Sequence, residues 1–350
     1  MVDFEVIEDA ERWFDALEAF KQWDFFHSFE FHSACLDSIE NTPWMIVLKQ
    51  AGKPVFALPM IRREISNGQF DLVSVYGYTG PLCHNLDDLN QYLDQVKKEL
   101  RGLGCVSLFC RLHPILHAGL KSEDGFIAAG KTVAIHCHDD RLDSYRKTTR
   151  YEIRKLIRSG ATVTFDTKPE SIDTFAEIYD ETMRSLNADE FYFFEREFLD
   201  SLFQIQNVKT VIGSVWFEGE VISSGIFTSV NGIAQYFLGG ARQAFQKLAP
   251  QKFLLHEAAG WASQQGAAML HLGGGRGAKE DGLFRFKTGF SKGTLDFRLL
   301  RIVLNEQHYQ ELLENHAVKV DCSANDLRSQ GYFPAYRAPV KTDRNAGAND

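Results

Sequence analysis

The stretch from residue 232 to 272 constrains the fold more than any other part of the sequence. Residues 232–238 read as a strand and 239–249 as a loop. Pro250 stands where the first helical residue belongs, a position at which its missing N–H costs nothing. Leu254, Leu255, Ala258, Ala259 and Ala262 then fall on one helical stripe, Gly266 stops the helix, and residues 267–272 form a short apolar strand. A helix between two strands makes a βαβ unit, so the two strands are expected to run parallel and side by side.

The rest of the chain supplies further strands and helices. Residues 10–40 look helical and aromatic-rich, and two apolar runs, 44–50 and 54–63, are joined by Ala51-Gly52-Lys53 as in a hairpin. A strand is expected over 69–76, an amphipathic helix over 89–101 and strands over 105–110 and 132–137. Residues 141–158 read as one helix with an apolar stripe at steps of four and a basic remainder. After Gly160 come a strand (161–166), helices (170–185 and 195–206) and a hairpin of strands 209–217 and 221–229 turning at Glu218-Gly219-Glu220. The tail beyond about residue 319 looks loosely ordered.

A length of 350 residues favours two domains. The net charge of −9 offers no positive field for gathering nucleic acid, which argues against a dedicated DNA or RNA binder. The N-terminus shows no basic leader or apolar signal segment, and no apolar run reaches the ~18 residues needed to span a bilayer. A cytoplasmic protein is therefore expected. The six cysteines lack the CxxC pairs of a zinc site and are too sparse for a disulfide scaffold, so they read as reduced and mostly buried. With 28 phenylalanines the chain has material for aromatic cores or an apolar cleft.

More specific landmarks lie near the end. Ala249-Pro250-Gln251-Lys252-Phe253, then His271-Leu272-Gly273-Gly274-Gly275, then Leu283-Phe284-Arg285-Phe286-Lys287-Thr288-Gly289-Phe290 resemble the closing stretch of FemAB-like transferases of the GNAT superfamily. Arg150-Tyr151-Glu152-Ile153-Arg154-Lys155 and Gly77-Tyr78-Thr79-Gly80-Pro81 also look like family landmarks. The resemblance covers roughly residues 30–300. It implies an α+β chain of α/β three-layer type with two tandem GNAT-like domains, each with a mixed central sheet, divided as 1–138, 139–305 and a C-terminal helix and tail at 306–350. The implied activity is acyl or aminoacyl transfer to an amino group of a peptidoglycan or surface-glycan precursor. An acyl-CoA-dependent acetyltransferase acting on a small amine or a nucleotide amino sugar is the alternative, and a non-catalytic binding partner is a third reading.

Two departures from the family pattern bear on substrates. GNAT enzymes that use CoA carry a glycine-rich loop whose backbone N–H groups cradle pyrophosphate at a helix N-terminus. Here Arg242-Gln243-Ala244-Phe245-Gln246-Lys247-Leu248-Ala249 has no glycine, so the donor stays open between aminoacyl-tRNA and acyl-CoA, with no resident cofactor expected. Where peptidoglycan-type members place an Asp before a proline, this chain has His113-Pro114. Peripheral membrane contact through a lipid-linked acceptor is compatible with the sequence; DNA binding is not expected.

Amide formation requires a neutral amine, a donor for the developing oxyanion and removal of a proton, without a covalent intermediate. Lys287 is the leading candidate for a cation near reacting or phosphate oxygens, its alternative being a solvated lysine among core phenylalanines. Gly273, Gly274 and Gly275 permit close backbone approach to a donor or a plain tight turn. With Arg242 and Lys247 they form the expected donor side. Arg150 and Arg154 lie one turn apart and either converge on a phosphate or form a solvated face. The acceptor side groups these two and Lys287 with Tyr76, Tyr78, Gly80, Pro81 and Arg111. His113 is a candidate general base or a structural histidine. No metal site is expected, since only His136 and His138 of the run 136–140 share a strand face.

Overall fold

The computed structural model describes residues 2–66, 68–120 and 125–339. Its strands are β1 Val2–Ile7, β2 Thr42–Gln50, β3 Lys53–Ser66, β4 Gln69–Val73, β5 Leu82–Cys83, β6 Cys105–Arg111, β7 Phe126–His136, β8 Thr162–Asp166, β9 Lys209–Phe217, β10 Glu220–Val230, β11 Ile233–Ala241, β12 Met269–Gly273 and β13 Leu295–Val303. They form one sheet in the order β1-β2-β3-β4-β6-β13-β7-β12-β11-β10-β9-β8, with β5 pairing on β3. The helices are α1 Ala10–Glu18, α2 Phe29–Ala34, α3 Leu89–Gly102, α4 Arg141–Ser144, α5 Lys147–Arg158, α6 Pro169–Ser185, α7 Arg196–Ser201, α8 Pro250–Gln264, α9 Gly282–Lys287, α10 Glu306–Lys319 and α11 Ala324–Ser329.

The βαβ unit forms as its sequence pattern dictates. Pro250 opens α8, and β11 pairs with β12 in parallel register, Gln235 opposite His271. The two expected hairpins turn on left-handed residues, Ala51 (φ 49°) with Gly52 and Glu218 (φ 52°) with Gly219, and β10–β11 turns in the same way at Asn231 (φ 49°) with Gly232. Such pairs match the right-handed twist of the flanking strands.

Alternation along the strands explains the layers. In β2, Ile46 and Leu48 pack under α3 with Leu89, Leu93, Val96 and Leu100, while Met45 and Val47 pack on the other face with Trp13 and Leu17 of α1. In the second half, Val211, Val215, Ile222 and Phe227 face α5 and α8, whereas Ile212 and Ile226 face α6, α7 and the Phe25–Phe31 region. Helices thus cover both faces of a mixed sheet. Phenylalanine is concentrated where the halves meet: the Phe237 ring lies 5.2–6.4 Å from those of Phe25, Phe26, Phe31, Phe194 and Phe198.

Among the departures from expectation, β7 starts six residues before the expected strand, α7 stops at Ser201 and β4 at Val73, and three others say more about the fold. Residues 141–158 form two helices, because Tyr145 and Arg146 turn extended and the Arg146 N–H donates to the Gly289 carbonyl at 2.8 Å. That bond ties the entry of α5 to the closing segment, a tertiary constraint that local periodicity does not contain. β11 runs on to Ala241, three residues past the expected strand end, and the remaining loop winds into a short 3₁₀ turn at Gln243–Leu248. The chain after Lys319 is packed, with Leu327, Ala335, Tyr336 and Ala338 buried against α10; the stretch 340–350 lies outside the described residues.

β13 couples the halves. It lies antiparallel between β6 and β7, although it follows the whole second half in sequence. Leu300 and Ile302 enter the core under α3. Removing the Leu300 side chain leaves a cavity at this seam, so Leu300→Ala is expected to cost about 2–5 kcal/mol in urea unfolding.

Candidate functional site

The site is built around the turn that ends β12. Gly273 is left-handed (φ 75°), and a Cβ there would stand 3.2 Å from the Tyr78 hydroxyl and 3.5 Å from Lys287 Nζ. The next two glycines allow close backbone approach: a Cβ on Gly274 would meet the Lys131 carbonyl at 2.9 Å, and one on Gly275 would meet the Lys279 carbonyl at 2.0 Å. The Gly274 N–H donates to the Tyr78 hydroxyl at 3.1 Å, and Lys287 Nζ donates to the Gly274 carbonyl at 2.7 Å. An ammonium, a phenol and a glycine backbone therefore converge on one spot.

Local sequence explains how Lys287 gets there. Asp281 caps α9, accepting from the Phe284 N–H at 2.9 Å, and Phe284 and Phe290 are buried in the core beside it. The anchored helix carries Lys287 inward until only 7% of it is exposed. Burial pushes its ammonium pKa down to about 8, opposed by the Asp281 carboxylate. Tyr78, held edge-on against His271 and Phe297, has its phenol pKa raised by burial.

Behind the turn runs a buried polar chain. Two backbone N–H groups, of Ile115 and Leu116, donate to His113 Nδ1, so its Nε2–H is left to donate to Asp24 Oδ2 at 3.0 Å. The Gln235 amide also donates to Asp24 Oδ2, at 2.8 Å, and its carbonyl accepts from His271 Nδ1 at 2.7 Å. His271 Nε2 accepts from the Thr132 hydroxyl at 2.8 Å, completing one neutral tautomer. Asp24, His113 and His271 are fully buried, and burial holds the His271 imidazole pKa well below the usual range.

The remaining expected site residues are distributed as follows. Tyr76 lies among Phe191, Tyr192, Phe194 and Phe237. Gly80 (φ 100°) packs on the His117 ring, and the Pro81 carbonyl accepts from His117. Arg111 stacks over Phe109 at 4.9 Å. Arg150 and Arg154 converge on a carboxylate of the same chain, Asp143, at 3.7 and 3.6 Å. Arg242 is held by Glu220 at 3.2 Å and by Glu177 and Glu181 at 3.6 Å, and Lys247 is exposed. His113 has no exposed surface to offer a substrate.

Asp24, Thr132 and Gln235 escaped the sequence reading, and His271 was only a landmark. Their signal was present as single polar residues inside apolar strands: Gln235 in Ile233-Ala234-Gln235-Tyr236-Phe237 and His271 in Met269-Leu270-His271-Leu272. A cavity of about 320 Å³ lined by Ser144, Arg146, Thr288, Ser291 and Lys292 was also missed; Thr288 follows Lys287 directly. Among the described residues no group of three His, Cys, Asp or Glu is arranged to hold a metal, and no helix is long and apolar enough to cross a membrane.

Residues 143–288 match the family model of a GNAT acetyltransferase domain. The chain carries a GNAT-type acyltransferase domain. Its fold is similar to the crystal structure of FemX, with 13% identity, TM-score 0.68 and 87% of this chain aligned to 99% of that one. It is also similar to the C-terminal domain of a putative lysylphosphatidylglycerol synthetase from Agrobacterium fabrum, with 14% identity, TM-score 0.57, and 84% and 91% of the two chains covered. L-PGS from Bacillus licheniformis gives 15% identity, TM-score 0.55, and 85% and 93% covered. No curated protein matches the sequence. The FemAB-like resemblance of the closing stretch therefore holds for the fold, and the acyltransferase domain of GNAT type spans residues 143–288.

Two measurements test this geometry. Gln235→Leu leaves the buried His271 Nδ1–H without an acceptor and removes one of the two side-chain donors to Asp24 Oδ2, so a loss of about 1–3 kcal/mol is expected in urea titration. Lys287 loses its proton near pH 8 in the folded state but near 10.4 when unfolded. Between those values the unfolded chain binds the extra proton, so this residue makes stability rise with pH, by on the order of 3 kcal/mol in total. The difference between wild type and Lys287→Met across pH 7–10.5 isolates that slope.

Proposed function

We propose that this acyltransferase forms an amide by moving an acyl or aminoacyl group onto an amino group of a peptidoglycan or surface-glycan precursor in the cytoplasm. The observation that carries the reading is the convergence of Lys287 Nζ and the Tyr78 hydroxyl on the Gly273-Gly274 turn. A buried ammonium next to a phenol offers two donors to an oxyanion where water is largely excluded, the condition under which such donors are worth most. His113 serves as a positioning residue in this scheme, holding Asp24 and through it Gln235 and His271. Proton removal falls to the bulk or to the acceptor's own groups.

On the donor side, the loop from Arg242 to Ala249 favours something other than CoA. Its arginine is neutralised by three carboxylates of the same chain, and Pro250 has no N–H to contribute at the start of α8. An aminoacyl-tRNA is then the leading donor, in keeping with the likeness to FemX and to domains named for lysylphosphatidylglycerol synthesis. The second reading, acyl-CoA-dependent acetylation of a small amine, is favoured by the match to an acetyltransferase family model.

The test is transfer to an amino-bearing peptidoglycan precursor with charged tRNA or acetyl-CoA as donor, in wild type and Lys287 variants. Loss of one oxyanion donor lowers turnover by about 10²–10³-fold, the fall expected for Lys287→Ala. The wild-type rate should decline as pH rises through about 8, where the ammonium is lost, and Lys287→Arg should move that decline upward. A rate that climbs through the same pH and is abolished in the Arg variant would make Lys287 a base and overturn the assignment.

A further inference from the structure

A second basic site lies on the first half of the sheet. The register places Arg63 opposite Asp71 on β3 and β4, Val73 opposite Phe109 on β4 and β6, and Arg301 opposite Phe109 on β13. Arg111 stands two residues past Phe109, on the same face. Arg63, Val73, Phe109, Arg111 and Arg301 line a cavity of about 170 Å³, roofed by Gly331, Tyr332 and Phe333 from the segment after α11.

Its charges are unbalanced. Asp71 is completely buried and is shared by Arg63 at 2.7 Å and Arg337 at 2.6 Å, with the Tyr336 hydroxyl donating at 2.9 Å. Arg111 and Arg301 have no carboxylate within ion-pair distance among the described residues, so four guanidiniums stand against one carboxylate. Two nitrogens, Arg63 Nη2 and Arg301 Nε, are buried without a hydrogen-bond partner. The groups are nevertheless held in place: Arg111 lies over Phe109 at 4.9 Å, and Arg301 lies 5.9 Å from Phe109 and 5.8 Å from Phe333 while donating to the Gly331 carbonyl at 3.0 Å. Uncompensated buried charge is costly unless something answers it.

We propose that this pocket binds a phosphoryl group, as the end of an organic phosphate or diphosphate, with Arg63, Arg111 and Arg301 as its ligands. Fork-shaped guanidiniums suit the oxygens of phosphate, and an excess of more than one positive charge calls for a dianion rather than a carboxylate. Tyr332, 45% exposed, forms the lip on which the organic portion rests. Arg111 is within electrostatic reach of Tyr76 and Tyr78, which connects the pocket to the Lys287 turn. The place of the phosphate in the reaction, as the anionic end of the acceptor, rests on the transfer reading above; the binding itself does not.

The test is calorimetric titration of the full-length chain with inorganic pyrophosphate and phosphate, with sodium acetate and ionic-strength-matched chloride as comparisons. Pyrophosphate should bind above the chloride background and acetate should not. The Arg111→Gln/Arg301→Gln double variant should raise the pyrophosphate Kd at least tenfold, while Lys98→Gln, an equal loss of charge on an exposed face of α3, and Lys287→Ala should leave it unchanged. Arg301→Lys keeps the charge and loses the fork, so it guards against misfolding of the double variant and should fall between the two. Binding that is absent, matched by chloride, equal in the double variant, or lost in Lys287→Ala would overturn the proposal. If binding behaves as expected but no donor supports transfer, the failure belongs to the functional reading and not to the pocket.

Discussion

The hydrogen-bonded chain from His113 through Asp24, Gln235 and His271 to Thr132 is the constraint on which the rest of the molecule turns. Its members come from the loop after β6, the turn before α2, and strands β11, β12 and β7, so it joins both halves beneath the glycine turn that ends β12. Each polar atom in it has a directional partner, and in a dry interior that geometry admits little slippage. An all-apolar seam of the same volume would hold the halves together through packing alone. The polar chain also fixes their register, and with it the distance from Tyr78 to the β12 glycines.

From that register the site follows. Tyr78 belongs to the first half and Lys287 to the second, yet they meet at Gly274, one accepting from its N–H and the other donating to its carbonyl. The aromatic cluster around Phe237 fills the same interface, and Tyr78 packs against it through Phe26. Many of the phenylalanines that stood out in the composition thus line the junction, where large flat side chains bury area without leaving polar groups to satisfy.

What could be read from the sequence was what short-range chemistry decides. The βαβ unit, the hairpins at Gly52 and Gly219, the proline at the head of α8 and the Lys287 segment each depend on neighbours within a few residues. The insertion of β13 between β6 and β7 depends on pairing over a separation no local pattern records. The break at Tyr145 depends on a bond to Gly289, and the burial of His113 on an aspartate 89 positions away. Arg150, Arg154 and Arg242 illustrate the same limit: their charge was evident, but the carboxylates that answer it became visible only in three dimensions.

The position of β13 has a further consequence for how the chain must come into being. During synthesis, β6 and β7 emerge early, but the strand that fills the gap between them arrives only after the whole of the second half has left the ribosome. Until then both present open edges, each a template for pairing with the wrong partner. The first half can collapse under α3 but cannot close its sheet, and the long loop that precedes closure makes the last step entropically slow. The molecule is in this sense sealed from the middle, by one of its last strands.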